Sequence, residues 1–214
     1  ITVRLVGSEM CIRDRCNMAR IKKLELDNWD KELREMTAAD SGTPLEQGVM
    51  RMFAHTPEIS KGLTAFACSL KQNRTLPDRL VELVRLRVAF HNQCRSCMAI
   101  RYKDGQEDGI TEDLVCSLEK PMEAENLSDA EKAAIHYGEL FATNHLAIND
   151  EVYDNLREYF SESEIVELSM TVAFFVGFGR LAASYHMVEE LPESFQASEE
   201  EILTPWGNDS IIVR

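Results

Sequence analysis

The chain of 214 residues is 44% hydrophobic, so it can bury one sizeable core without disulfide bonds to hold the fold together. Its 37 acidic residues outnumber 23 Lys and Arg, and a net charge of -14 disfavours binding to nucleic acid or to an anionic membrane surface. No uninterrupted run reaches the roughly 18 apolar residues of a transmembrane helix, so we expect no membrane partner.

The first seventeen residues, ITVRLVGSEMCIRDRCN, have neither the period of a helix nor the apolar core of a signal peptide. Within them, LVGSEMCIRDR resembles a string that recurs at the ends of translated metagenomic assemblies. We expect the natural chain to begin at Met18, and residues 1–17 to be such an artefact or a disordered extension. On this interpretation Cys11 and Cys16 have no function, and the helix-rich, acidic composition predicts a protein of the reducing cytoplasm.

Prolines open three successive helical segments in the first half of the chain. Pro44 begins PLEQGVMRMFAH, Pro57 begins PEISKGLTAFACSLKQ, and Pro77 precedes DRLVELVRLRVAF. The second segment carries apolar residues at helical spacing, namely Ile59, Leu63, Phe66, Ala67 and Leu70. The third runs to about His91, and Asn92 with Gln93 predicts a break after it.

Two capping-box patterns mark helix starts in the second half. Ser128 with Glu131 precedes KAAIHYGELFATNH, and Ser161 with Glu164 precedes the apolar segment IVELSMTVAFFVGFGRLAASYHMV, which is typical of a core helix. NDEVYDNLREYF, between them, is amphipathic.

The pattern as a whole predicts an all-α, single-domain helical bundle over residues 18–191. Residues 192–214 are expected to form a polar tail with an anchor at Trp206. The closing IIV is too short to predict a strand.

The cysteines of HNQCRSCMAIRY, Cys94 and Cys97, raise several alternatives. A structural zinc site needs four ligands, and the sequence has neither a second CxxC nor an HxxxH. A thioredoxin-type fold places CxxC beside a βαβ unit, which this chain lacks. Two inert core cysteines remain possible in principle, although Arg95, Ser96 and Arg101 are unusual neighbours for a dry core. We favour redox chemistry, without metal or cofactor.

A helix that begins near Cys94 places Cys94, Cys97 and Arg101 on one face, because residues three and four apart are neighbours. The unpaired N–H groups at the helix start favour a thiolate, and CxxC pairs commonly ionise easily. Arg101, one turn beyond Cys97, is expected to favour the thiolate further.

Glu82 stands twelve positions before Cys94 in ELVRLRVAFHNQCRSC, and this pattern resembles the carboxymuconolactone decarboxylase-like family, in its alkylhydroperoxidase D branch. The resemblance extends over roughly residues 45–187. It implies an all-helical fold that assembles as trimers or hexamers.

The resemblance also implies thiol-dependent reduction of a small hydroperoxide. Cys97 would attack the peroxide and become a sulfenic acid, and Cys94 would then condense with it to a disulfide. An external dithiol, a lipoyl group or a thioredoxin-like protein, would reopen that disulfide. Glu82 would belong to the relay that takes the proton from the thiol.

The sequence departs from this pattern at two positions. Family members with the proton relay usually have a histidine where this chain has Arg101, and sometimes a second one where it has Ser96. Arginine cannot shuttle protons, because it stays protonated. We therefore expect Arg101 to stabilise the Cys97 thiolate and to orient Glu82 as an ion pair, with His91 as the one nearby substitute base.

Two other function classes remain open. The decarboxylases that name the family convert a lactone or related acid, and they generally lack the cysteine pair. A non-catalytic helical oligomer could use the CxxC to sense oxidation.

Overall fold

The computed structural model describes residues 19–196 and 201–213. The predictions for residues 1–17, including Cys11 and Cys16, lie outside these ranges, as does part of the acidic stretch near Glu199.

Eleven α-helices form the described part of the chain and are labelled in order: α1 (Lys31–Met36), α2 (Pro44–Gln47), α3 (Met50–Phe53), α4 (Pro57–Gln72), α5 (Asp78–Asn92), α6 (Arg95–Ala99), α7 (Lys103–Glu107), α8 (Glu112–Cys116), α9 (Asp129–Thr143), α10 (Asp150–Arg157) and α11 (Glu162–Tyr185). Single 3-10 turns lie between or beside them: Leu26–Asn28, Ala39–Ser41, Ser117–Glu119, Pro121–Glu123, His145–Ala147 and Glu193–Phe195. The predicted all-α class is confirmed.

Both predicted capping boxes are present. The hydroxyl of Ser128 accepts a hydrogen bond from the Glu131 N–H, and the Glu131 carboxylate accepts one from the Ser128 N–H. Ser161 and Glu164 make the same exchange at the start of α11. These local bonds satisfy N–H groups that a helix start leaves unpaired, and so they fix where α9 and α11 begin.

The segment PLEQGVMRMFAH forms two short helices rather than the single predicted one. Gly48 lies between α2 and α3 with φ of 49° and ψ of -137°, a conformation that only glycine adopts without strain. The apolar spacing of the segment is helical, but it contains no information on this one backbone angle.

Helix α5 is the centre of the bundle and packs against α9 and α11. It is buried on nearly all sides, and its buried residues include the ionisable Glu82, Arg85 and Arg87. Charged side chains are rarely buried unless they are paired. We therefore expect each of these three side chains to have a polar or charged partner inside the bundle.

The carboxyl-terminal segment packs on the bundle, and the expectation that IIV forms no strand is wrong. Ile211–Val213 (β2) pairs in parallel with Ile100–Tyr102 (β1), which directly follows α6. Trp206 packs against Phe90 in a tilted contact with ring centroids 4.9 Å apart, which confirms the anchor. The segment therefore covers the chain just beyond the two cysteines.

Helix α11 is apolar on two sides but buried on one. Its interior side carries Ile165, Leu168, Val172 and Val176, which confirms the predicted core helix for that side. By length and composition alone α11 could also cross a membrane, and one third of its apolar window is buried inside the described structure. The absence of a membrane partner stays a prediction.

Candidate active site

Cys94 and Cys97 lie where the central helix gives way to α6. Gln93 ends α5 in the left-handed conformation, φ 49°, and Cys94 then caps α6. A disulfide bond joins Cys94 to Cys97, with their Cα atoms 5.2 Å apart. Cys94 is completely buried, whereas Cys97 is half-buried. A molecule from solvent therefore reaches the sulfur of Cys97 first.

The buried carboxylate of Glu82 is paired with Arg85, one turn further along α5. Arg85 donates two hydrogen bonds to it, Nε to Oε2 at 2.6 Å and Nη2 to Oε1 at 2.7 Å. The Tyr102 N–H donates a third, at 3.3 Å. Gly105 packs so closely that a side chain there would come within 3.0 Å of Glu82 Cγ. Glu82 is thus held in one position.

Arg85 also binds the backbone of the segment that carries Cys97. Its Nη1 donates to the Cys97 carbonyl at 2.6 Å and its Nη2 to the Ile100 carbonyl at 2.8 Å, and the Tyr102 ring covers the guanidinium at 4.9 Å. Burial acts to lower the pKa of Arg85, but the Glu82 carboxylate more than offsets this and raises that pKa. Arg85 is therefore a fixed cation that connects Glu82 to the backbone of Cys97.

Cys97 faces a cavity of about 360 Å³ between α4, α5 and α11. Its wall includes five aromatic side chains, Phe53, Tyr102, Phe174, Phe175 and Phe178, and the thiol of Cys68. The charged lining residues are Arg85, paired with Glu82, and Glu46, whose carboxylate accepts the Thr43 N–H. Such a cavity admits an uncharged, apolar molecule.

The structure contradicts the expected contacts of Arg101. Helix α6 ends at Ala99, and Ile100 is extended, so the four-residue helical spacing from Cys97 to Arg101 does not apply. Side chains alternate along a strand, and Ile100 and Tyr102 face the cavity whereas Arg101 points to the other side.

Arg101 is completely buried in a structural role there. It donates two hydrogen bonds to the Glu112 carboxylate at 3.1 Å, one to the Met98 carbonyl at 2.7 Å and one to the Pro205 carbonyl at 2.6 Å. The predicted ion pair between Arg101 and Glu82 is wrong. Arg101 fastens the carboxyl-terminal segment to α6.

The fold is shared with two solved structures of low sequence identity. An uncharacterized peroxidase-related protein from Ralstonia eutropha JMP134, with an alkylhydroperoxidase AhpD core, superposes with a TM-score of 0.64 at 18% identity, over 84% of this chain and 95% of that one. ATU0492 from Agrobacterium tumefaciens, a protein of unknown function, gives 0.56 at 21% identity, over 64% and 93%. At these identities the similarity shows the fold alone.

Residues 57–140, from α4 to α9, match the model of the Carboxymuconolactone decarboxylase family. This part of the chain is similar to that family. Among its relatives are YdfG of Bacillus subtilis, 29% identical over 92 residues, and Rv2313c of Mycobacterium tuberculosis, 30% identical over 121 residues, both uncharacterized. The alignments cover 42% and 55% of this chain, and 63% and 42% of those proteins, so each relative corresponds only in part.

His91 lies in a separate polar cluster. Its Nε2 is 3.2 Å from Glu139 Oε1, and Arg87 donates a hydrogen bond to the same oxygen. The His91 ring and the Arg87 guanidinium lower the pKa of Glu139 to about 2, against the raising effect of burial. His91 does not line the cavity that Cys97 faces, which argues against it as the substitute base.

Arg85 is the residue of this site that sequence reasoning missed. Glu82 and Arg85 are three apart on one helix, the spacing of an intrahelical ion pair, and this signal was present in ELVR. Cys68 and Cys116, the other two cysteines in the described part of the chain, are free and exposed. The catalytic roles of Cys94, Cys97 and Glu82 stay predictions.

We expect Arg101→His to destabilise the protein without raising peroxide turnover. Imidazole cannot replace a guanidinium that binds Glu112, Met98 and Pro205 together, and a buried carbonyl left without its donor costs about 1–3 kcal/mol. Urea unfolding and peroxide consumption measure the two effects, with exposed Lys103→His as the control. A variant of unchanged stability and higher turnover would instead place residue 101 in the proton relay.

Proposed function

We propose that this protein is a thiol-dependent reductase of small organic hydroperoxides that works in the reducing cytoplasm. The observation that carries the proposal is the arrangement of the cysteine pair. Cys97 lines an apolar cavity, Cys94 lies completely buried behind it, and a disulfide joins the two. This arrangement supports Cys97 as the thiol that meets the substrate and Cys94 as the thiol that resolves the sulfenic acid.

In the first step the Cys97 thiolate attacks the terminal oxygen of the hydroperoxide. The S–O bond forms as the O–O bond breaks, and the leaving alkoxide takes a proton to become an alcohol. Cys97 is then a sulfenic acid, two electrons more oxidised than the thiolate.

In the second step Cys94 attacks the sulfur of Cys97, the disulfide forms, and the hydroxyl leaves as water after taking a proton. An external dithiol then attacks Cys97, the more accessible sulfur of the pair, and releases Cys94 as a thiol. The second thiol of the reductant completes the exchange. The sum is one hydroperoxide and one dithiol converted to an alcohol, water and a cyclic disulfide.

Glu82 and Arg85 prepare the site for this chemistry. Arg85 places a permanent positive charge beside the Cys97 backbone, which favours the thiolate over the thiol. Glu82 is the buried carboxylate next to that charge, and we assign it the proton from the Cys97 thiol, passed through water. Arg101 has no part in this scheme.

The lining of the cavity supports a chemical class for the substrate and for the reductant. Its aromatic wall favours an alkyl or aryl hydroperoxide over hydrogen peroxide, and a lipoyl-type dithiol on an apolar arm suits the same entrance.

The test compares two alkylated samples of the full chain. One sample is reduced before treatment with iodoacetamide, and the other is oxidised first, so that the disulfide protects Cys94 and Cys97. Both then receive dihydrolipoamide and cumene hydroperoxide. We expect the first sample to be inactive and the second to turn over, because the samples differ only at Cys94 and Cys97. Cys68, which lines the cavity, and Cys116 are both exposed and are alkylated in both samples.

Equal turnover in both samples would show that the cysteine pair is not the catalyst, and would favour the lactone-converting chemistry after which the family is named. Failure of the untreated, reduced protein to consume peroxide would favour a redox sensor.

A further inference from the structure

The oxygen that leaves an alkyl hydroperoxide needs a proton donor in the cavity that Cys97 faces. An alkoxide is a strong base, so a side chain that gives it a proton while the O–O bond breaks accelerates the step. Glu82 is buried behind the wall and does not line the cavity. Arg85 lines the cavity but stays protonated, so it cannot give a proton away.

Tyr102 brings a phenol to this cavity. It is the last residue of β1, where the side chains of Ile100 and Tyr102 face the cavity and the buried Arg101 points to the other side. Tyr102 is 41% exposed, so water also reaches it. Within the described part of the chain its hydroxyl forms no hydrogen bond, and its proton is therefore not committed to another group.

Arg85 connects this phenol to the reacting sulfur. Its guanidinium carbon lies 4.9 Å from the centre of the Tyr102 ring, and its Nη1 donates to the Cys97 carbonyl at 2.6 Å. Burial acts to lower the pKa of Arg85, whereas Glu82 and the ionised form of Tyr102 both raise it. One cation thus holds Cys97 and Tyr102 at the same wall, and it stabilises a negative charge on either of them.

The other proton donors of the wall are less suited to this task. The hydroxyl of Thr64 is bonded to a carbonyl one turn earlier on α4 at 2.8 Å, and that of Ser96 lies 3.6 Å from the buried sulfur of the cysteine pair. The thiol of Cys68 is blocked in the oxidised, alkylated sample described above, so its contribution is measured there. Tyr102 combines an unbonded hydroxyl with a contact to Arg85.

We propose that Tyr102 is a further catalytic residue, the general acid that protonates the leaving oxygen of the hydroperoxide. This role rests on the proposed function. The Cys97 thiolate attacks the terminal oxygen, the S–O bond forms and the O–O bond breaks. The hydroxyl of Tyr102 gives its proton to the oxygen that carries the alkyl group. The products are an alcohol, the sulfenic acid of Cys97 and the phenolate of Tyr102.

The phenolate regains its proton from Glu82, which holds the one taken from the Cys97 thiol. The Tyr102 N–H donates to Glu82 Oε1 at 3.3 Å, so the two groups are neighbours, and water at the exposed ring carries the proton between them. The sum of these steps is one thiol and one hydroperoxide converted to one sulfenic acid and one alcohol. Tyr102 and Glu82 end the cycle as they began it.

The test compares two peroxides that differ in their leaving group. Cumene hydroperoxide releases an alkoxide, which needs a proton, whereas perbenzoic acid releases benzoate, a weak base that needs none. The reduced full chain is mixed rapidly with one or the other, and the peroxide consumed in the first turnover is followed. We expect Tyr102→Phe to react about 100-fold more slowly than the wild type with cumene hydroperoxide, and at the wild-type rate with perbenzoic acid.

The substitution is confined to the hydroxyl. Phenylalanine keeps a ring over Arg85 and the backbone N–H that Glu82 accepts. Tyr159→Phe is the matched control, since Tyr159 is 40% exposed and lies outside the cavity wall. It should keep the wild-type rate with both peroxides.

An unchanged rate of Tyr102→Phe with cumene hydroperoxide would overturn the proposal. Equal slowing with both peroxides would also overturn it, and would make Tyr102 a structural support of Arg85. In both cases the wild type still reduces the hydroperoxide, and the proposed function stands. A wild type that leaves cumene hydroperoxide unconsumed would instead refute the proposed function, and the role of Tyr102 with it.

Discussion

Replacement of Cys97 by serine is expected to abolish hydroperoxide consumption, whereas Cys94→Ser should consume about one peroxide per chain and then stop. Cys97 is the cysteine of the pair that lines the cavity, so the first step needs it. Cys94 is completely buried and acts only on the sulfenic acid that this step leaves. The measurement is peroxide consumed per chain in a rapid-mixing experiment, with dimedone trapping of the sulfenic acid located by mass spectrometry.

Cys116→Ser serves as the matched control, because Cys116 is an exposed thiol on α8 outside the cavity wall. It should turn over like the wild type. Sustained turnover by Cys97→Ser, or dimedone attached to residue 94 rather than 97 in the wild type, would reverse the roles assigned to the two sulfurs.

The parts of the fold that depend on neighbouring residues could be predicted from the sequence. Ser128 and Ser161 each exchange hydrogen bonds with a glutamate three residues later, so the starts of α9 and α11 are encoded within four residues. The pairing of β1 with β2 joins residues more than a hundred positions apart, and three residues are too few to show a strand period. Nothing local to IIV predicts that pairing.

Helix α4 shows a different limit. Its apolar spacing correctly predicted a helix, but the spacing alone cannot tell whether the apolar side meets the core of the same chain or another surface. The exposed Ile59 and Phe66 answer that question only once the neighbouring helices are placed.

At the site, the break predicted at Asn92 and Gln93 is confirmed, because the helix ends at Asn92 and Gln93 is left-handed. The error at Arg101 came from continuing the helical wheel past Ala99, where the chain becomes extended. The cation paired with Glu82 is Arg85, which lies on α5, a helix that the sequence predicts. A helical wheel is informative only as far as the helix extends.

Arg85→Met should have the largest combined effect on stability and reactivity. It leaves the Glu82 carboxylate buried without its cation, and the Cys97 and Ile100 carbonyls lose their donor. Removing one partner of a buried ion pair lowers the free energy of unfolding by about 3–5 kcal/mol. Because a positive charge near the thiolate is lost, the pH midpoint of Cys97 alkylation should also move upward.

Arg87→Met separates the two effects, since Arg87 is also buried on α5 and is paired with Glu139. It should lower the free energy of unfolding by about 2 kcal/mol, less than Arg85→Met because Glu139 is partly exposed and keeps His91. Its pH midpoint for Cys97 alkylation should match that of the wild type.

Arg85→Lys keeps the positive charge but cannot make two parallel hydrogen bonds to Glu82. Its pH midpoint for Cys97 alkylation should therefore stay close to that of the wild type, whereas its free energy of unfolding should fall. Equal midpoints in Arg85→Met, Arg87→Met and the wild type would reduce Arg85 to a structural residue, and the thiolate of Cys97 would then need another source of stabilisation.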